Sequence, residues 1–126
     1  DILFKLHPSE NSNEIQGLLN NLRRKKIKVI ESKSSDMYKF LSESKWVLGV
    51  YSTSLYEALA FNCKIFVLKT SGYEFVKKLI EKNFFILIKS ASEMTKKMPL
   101  NNRNRSKSIN FLFNQEYKKK FNFLKI

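Results

Sequence analysis

Five short apolar runs with segments of helical period between them constrain this chain more than any other feature. The runs are Ile2–Leu6, Ile27–Ile30, Trp46–Tyr51, Lys64–Leu68 and Phe84–Ile88. Each is nearly continuous in apolar residues rather than alternating, which is the pattern of strands covered on both faces, as in a parallel sheet. The segments between them repeat apolar residues at three and four positions. Ile15, Leu18, Leu19 and Leu22 share one helical face, as do Met37, Phe40 and Leu41. Leu55, Leu59 and Ala60 mark a third helix, and Phe75, Val76, Leu79 and Ile80 a fourth. Trp46 opens its run and reads as a core residue.

The junctions carry a repeated start signal. Asn11-Ser12-Asn13-Glu14, Ser54-Leu55-Tyr56-Glu57, Ser71-Gly72-Tyr73-Glu74 and Ser90-Ala91-Ser92-Glu93 each have the form of a capping box. In such a box the first side chain accepts from an N–H of the first turn while the glutamate reaches back to the cap. Ser35-Asp36 starts the remaining helix more simply. Strand, cap, helix, strand, repeated, predicts an α/β fold: a Rossmann-like open, mostly parallel sheet of about five strands with helices on both faces.

Length and composition fit this reading. A chain of 126 residues suits one domain, and its 43% hydrophobic content supplies a core. Three Gly and two Pro are few for an all-β fold built on tight turns. No apolar run approaches the ~18 residues of a membrane span, and there is no signal-peptide pattern after Asp1. The chain therefore reads as a piece of a longer protein. The lone Cys63 can form no internal disulfide and reads as a small buried side chain. With a single His and a single Cys there is no zinc-type ligand set.

The formal net charge of +13 is unevenly spread. Residues 1–95 hold 15 Lys and Arg against 10 acidic residues, whereas residues 96–126 hold 9 against 1. We therefore expect a nucleotide-binding domain over 1–95 and a basic connector with a C-terminal amphipathic helix over 96–126. That helix is predicted from about Ser108 to Leu124, with Ile109, Leu112, Phe113, Tyr117, Phe121 and Leu124 on one face. It would pack on this domain or on a missing N-terminal one. Its charge favours an anionic neighbour such as a membrane surface.

In open parallel sheets, ligands bind at the carboxyl ends of the strands. Two segments there carry candidate chemistry. His7, the only histidine, closes the first run, and Pro8 restrains the backbone beside it. An imidazole so placed can donate to a phosphate oxygen or protonate a leaving phosphate; the plainer alternative is a surface His before a turn. Ser52, Thr53 and Ser54 close the third run and open a helix. Three hydroxyls with the unpaired N–H groups of a first turn suit a phosphate or diphosphate. Capping by Ser54 alone would explain only one of the three. Glu57, one turn further on, is placed either to accept from ribose hydroxyls or simply to complete the capping box. Gly72, after the fourth run, permits close backbone approach to a ligand or a plain helix entry. Lys69 and Thr70 are weaker candidates beside it. The chain has no Walker-type glycine loop, no G-x-G-x-x-G and no Asp-x-Asp pair.

These motifs resemble a family. His7-Pro8 after a strand, followed some forty residues on by a strand and then Ser52-Thr53-Ser54 with Glu57-Ala58, is similar to the C-terminal half of GT-B glycosyltransferases. The nearest likeness is to bacterial sialyltransferases and capsule-polysaccharide transferases, with a related pattern in the glycerol-phosphate polymerases of teichoic acid synthesis. The segment from Trp46 to Ala60 is the most telling part, and the resemblance covers roughly residues 2–90.

The resemblance implies a donor nucleotide-sugar, CMP-linked, held by this half, with no catalytic metal. His7 would face the donor phosphate as general acid, and Ser52 and Thr53 would hold phosphate oxygens. Pro8, Ser54, Glu57 and Gly72 would complete the donor site. A general base would come from an N-terminal domain of the same protein, without which the fragment would be inactive. The acceptor would be a glycan or lipid-linked sugar, and the location the cytoplasm, peripheral to the inner face of the membrane. Two other readings compete: a CDP-glycerol-type glycerophosphotransferase or sugar-nucleotide epimerase domain, and a basic nucleic-acid-binding domain. The last is disfavoured, because its Lys and Arg are not interleaved with aromatic residues in any nucleic-acid-binding module.

Overall fold

The computed structural model describes residues 2–98, apart from 8, 12, 26 and 31–36. The expected C-terminal helix over 108–124, and the Ser35-Asp36 helix start, lie outside the described residues. The chain divides into two compact units, residues 1–39 and the residues from Phe40 onward. Among the described residues strands and helices alternate, and each strand pair is parallel.

The first unit is built on β1 (Leu3–Lys5), α1 (Gln16–Arg24) and β2 (Lys28–Ile30). The two strands pair in parallel, Leu3 opposite Lys28 and Lys5 opposite Ile30. Leu19 of α1 is buried, as are Leu6 and Ile30 at the strand ends. Leu3, Phe4 and Leu18 stay exposed, so β1 is not the doubly covered strand its sequence predicts. Asn11 does not cap α1 either. Its Oδ1 accepts from Asn13 N–H at 3.0 Å in a local turn, and the helix begins later, after Ile15, with no side-chain cap.

The second unit holds β3 (Trp46–Gly49), α3 (Thr53–Ala60), β4 (Lys64–Leu68), a 3-10 turn (Tyr73–Val76) leading into α4 (Lys77–Glu81), β5 (Phe85–Ile88) and α5 (Ala91–Lys97). The helix α2 (Met37–Glu43) runs across the division between the units. The strands form one parallel sheet in the order β3-β4-β5. Central β4 has Ile65, Phe66 and Val67 fully buried, as its unbroken apolar run predicts. Edge strand β3 alternates instead: Val47 and Gly49 are half-buried, Leu48 is 51% exposed, and Trp46 is 42% exposed and therefore not a core residue. Phe75 of the fourth predicted helix is also outside the core, at 79% exposed. The described strands thus make two parallel sheets, of two and three strands, in place of one sheet of five. Local hydrophobic pattern specifies that a strand exists; it does not specify which strand the next ladder joins.

Helices α3 and α4 end in the same way. Asn62 and Asn83 take left-handed backbone angles, φ 60° and 61°. Asn62 N–H donates to Leu59 O and Cys63 N–H to Ala58 O; Asn83 and Phe84 repeat this with Ile80 and Leu79. Each is a pair of hydrogen bonds that satisfies the last carbonyls and turns the chain directly into the next strand. The buried thiol of Cys63 donates to Leu41 O and Ser44 O, at 3.3 and 3.2 Å, as expected of a small core side chain.

Two features of α5 complete this unit. Lys64 lies within the buried run of β4, its ammonium donating to Lys97 O at 2.6 Å and sitting 5.6 Å from the Phe66 ring centroid. The carbonyl end of a helix and an aromatic face both favour a cation there. At the other end Ser90 accepts from Glu93 N–H, as its capping box predicts, while the Glu93 carboxylate accepts from Lys89 N–H and pairs with Lys97. The Lys97 bond, then the Lys89 N–H, hold the Glu93 carboxyl below its ordinary value of 4.5. A carboxyl depressed on folding stabilises the fold above its unfolded value and loses that contribution as pH falls through the folded one. Titration of Glu93 followed by NMR is therefore expected to give a midpoint below 4.5, moved upward by Lys97→Met. An unmoved midpoint would mean that the Lys97 pair does not hold in solution.

Among the described residues, no helix is long and apolar enough to cross a membrane.

Candidate functional site

The carboxyl end of β3 leads through Val50 and Tyr51 to Ser52, which caps α3 in an extended conformation, φ −67° and ψ 145°. Its Oγ accepts from Ser54 N–H at 3.3 Å and donates to Ser54 Oγ at 3.2 Å, while Leu55 N–H donates to Ser52 O at 3.0 Å. The cap is thus Ser52, two residues before the Ser54 that the capping-box pattern predicts. The reason is local competition: in a run of three hydroxyl residues each can cap, and the burial of Leu55, Ala58 and Leu59 sets the phase of the helix. Glu57 then sits one turn inside α3, half-buried, and loses its capping partner.

This phasing assigns the three hydroxyls different duties. Ser52 is exposed but spends its oxygen on the helix start, and Ser54 is half-buried. Thr53, the first helical residue, is exposed beside them. Its N–H belongs to the first turn, where no intrahelical acceptor exists. Gly49 has a packing role, since a Cβ there would lie 2.9 Å from Leu55 Cδ2; its absence lets α3 close on β3.

The loop after β4 comes to the same edge, because β3 and β4 are neighbours in register, Gly49 opposite Val67. Gly72 takes φ +95°, and its N–H donates to Glu74 Oε2 at 3.1 Å. A Cβ on Gly72 would lie 2.5 Å from two carbons of the Tyr51 ring. The close approach that glycine permits is therefore to Tyr51 of the neighbouring loop. Ser71 provides no side-chain cap; Gly72 itself opens the turn. Tyr51 in turn contacts Phe75, ring centroids 5.6 Å apart and planes inclined by 53°. Lys69 and Thr70 are exposed, their N–H groups bonded to Ile88 O and Leu68 O.

His7 belongs to the first unit, whereas Ser52, Thr53, Ser54, Glu57 and Gly72 belong to the second. Its ring is exposed, and Nδ1 lies 2.7 Å from Ser9 Oγ and accepts from Ser9 N–H at 3.2 Å. An Nδ1 that accepts places the proton of the neutral ring on Nε2, which is then the donor. Glu10 ties the same turn: its carboxylate accepts from His7 N–H at 2.5 Å and its N–H donates to His7 O at 3.0 Å. Neither Ser9 nor Glu10 was marked by a motif, although a Ser two residues after a His at a strand end is a readable turn signal. Pro8 lies outside the described residues.

Among the described residues, no group of three His, Cys, Asp or Glu side chains is gathered to hold a metal ion. The fold and site together define a class, an α/β protein with parallel strands and hydroxyl-bearing loops at their carboxyl ends. No family model, no curated protein and no solved structure matches the chain.

Proposed function

We propose that this chain is the donor-binding half of a glycosyltransferase that uses a nucleotide-activated sugar, CMP-linked, in building a bacterial surface polysaccharide. The observation that carries the reading is the Ser52-Thr53 start of α3, set at the carboxyl end of a strand in a parallel sheet. A phosphate at this point meets the exposed Thr53 hydroxyl, the Thr53 N–H and the positive end of the helix. In this reading His7 serves the departing nucleotide phosphate, as a hydrogen-bond donor from Nε2 while neutral and as general acid only when the ring carries both protons. The hydroxyl and N–H donors offset charge that gathers on the phosphate as the sugar bond breaks, with no catalytic metal.

The proposal carries further parts. An N-terminal domain of the same protein supplies the base, and the acceptor is a glycan or lipid-linked sugar at the inner face of the membrane.

Calorimetric titration of CMP, CDP and UDP tests it. CMP is expected to bind in preference to UDP, with His7→Ala and the double change Ser52→Ala/Thr53→Ala each weakening it about tenfold or more, since a hydrogen bond to a charged group contributes about 1.5–3 kcal/mol. Equal binding of all three nucleotides, or variants that bind like the parent, would count against the assignment. A preference for CDP would move it toward glycerol-phosphate transfer.

A further inference from the structure

We propose that Phe75, seated against Tyr51, is the surface on which the base of a pyrimidine nucleotide stacks; the inference rests on the donor-binding reading above.

Phe75 is the most exposed large apolar residue among those described, at 79%, and Tyr51 beside it is 57% exposed. Open rings of this kind leave apolar surface in water without a return in folding stability. They are nonetheless held in place. Tyr51 lies against the bare Cα of Gly72, where any side chain would collide with it. Glu74 fixes Gly72 through its N–H, Tyr73 N–H donates to Thr70 O, and Phe75 N–H donates to Gly72 O. The loop therefore presents the Phe75 ring from a backbone tied at three points, with one side on Tyr51 and the other open.

Position narrows the ligand. Tyr51 directly precedes Ser52, so the ring pair and the α3 start are adjoining parts of one sheet edge. A molecule that uses both needs a flat aromatic system and a phosphate within a few bonds of each other, which is the chemistry of a nucleotide. Base-on-ring stacking needs only a π-face and tolerates exposure on one side. Two rings are too small a patch for a stable protein partner, which covers roughly 800 Å² on each side.

The test compares CMP with ribose 5-phosphate, which keeps the phosphate and sugar and lacks the base, by calorimetry on the full chain. Phe75→Ala is expected to weaken CMP binding about tenfold, the scale of one lost base–aromatic stack, and to leave ribose 5-phosphate binding unchanged. Phe75→Trp is expected to retain CMP binding. Because the side chain is so exposed, both variants should keep the parent's circular dichroism spectrum. Parent-like CMP binding by Phe75→Ala, or an equal loss for both ligands, overturns the stacking role and leaves the donor reading standing. A parent chain that binds no CMP, or binds only a cytidine oligonucleotide, overturns the donor reading and this inference together.

Discussion

Replacing Phe66 by Ala is expected to destabilise the three-stranded unit by about 3–5 kcal/mol, read from the shift of its urea midpoint. The ring is fully buried in the central strand, with β3 on one side and β5 on the other. Removing it takes away transfer free energy and leaves a cavity that two flanking ladders prevent from closing. It also strips the aromatic face from beneath the Lys64 ammonium, a buried cation whose environment then becomes more costly. The loss is a large part of the 5–15 kcal/mol that holds a domain of ordinary stability. Leu48 supplies the control, since it stands directly opposite Phe66 in the ladder but is 51% exposed. Leu48→Ala is expected to shift stability by no more than about 0.5 kcal/mol. Similar losses at both positions would mean that Leu48 is covered in solution.

The second large effect is expected at Gly72. Alanine there has to adopt φ near +95°, a region that side chains rarely enter, at a cost of about 1–3 kcal/mol. Its Cβ would also displace the Tyr51 ring, which otherwise lies 2.5 Å from that point. The displacement separates this change from ordinary loop strain. Tyr51 and Phe75 are in ring contact, so the ring resonances of both should move in the NMR spectrum of Gly72→Ala. A stability loss with unmoved Tyr51 resonances would show that the glycine serves backbone conformation alone. Parent-like stability would show that the loop relaxes to negative φ and that the packing on Tyr51 is dispensable.

These two residues also measure how far the chain can be read without coordinates. Phe66 sits in the third position of Lys64–Leu68, a run apolar from Ile65 onward, and such a run predicts burial on both sides. Gly72 read as permitting either close approach to a ligand or a plain helix entry, and neither reading pointed to the Tyr51 ring that lies against it. Tyr51 is 21 residues earlier, and only the pairing of β3 with β4 brings the two loops together. Trp46 failed for a related reason. Its run looks continuous, yet the strand lies at the edge of its sheet, where one face finds no cover among the described residues. The caps show a finer limit. Ser90 caps as predicted, though Glu93 reaches the N–H of Lys89 rather than that of the cap, whereas in Ser52-Thr53-Ser54 the helix begins two residues early because buried Leu55, Ala58 and Leu59 set its phase. Asn62 and Asn83 carry matching helix ends that a search for left-handed asparagines after each helix would have found.

What the sequence determined by itself was the alternation of short strands and helices, their parallel pairing and the hydroxyl-bearing segment at the end of β3. The elements depend on apolar period and turn chemistry within about ten residues of each position, and parallel pairing follows from a helix standing between successive strands. Tertiary structure alone decided the division into two sheets, the exposure of Trp46 and Phe75, the burial of Lys64 under α5 and the contact of Tyr51 with Gly72. Each of these depends on which distant segment arrives alongside, and that is set by the summed packing of the unit rather than by any run of residues within it.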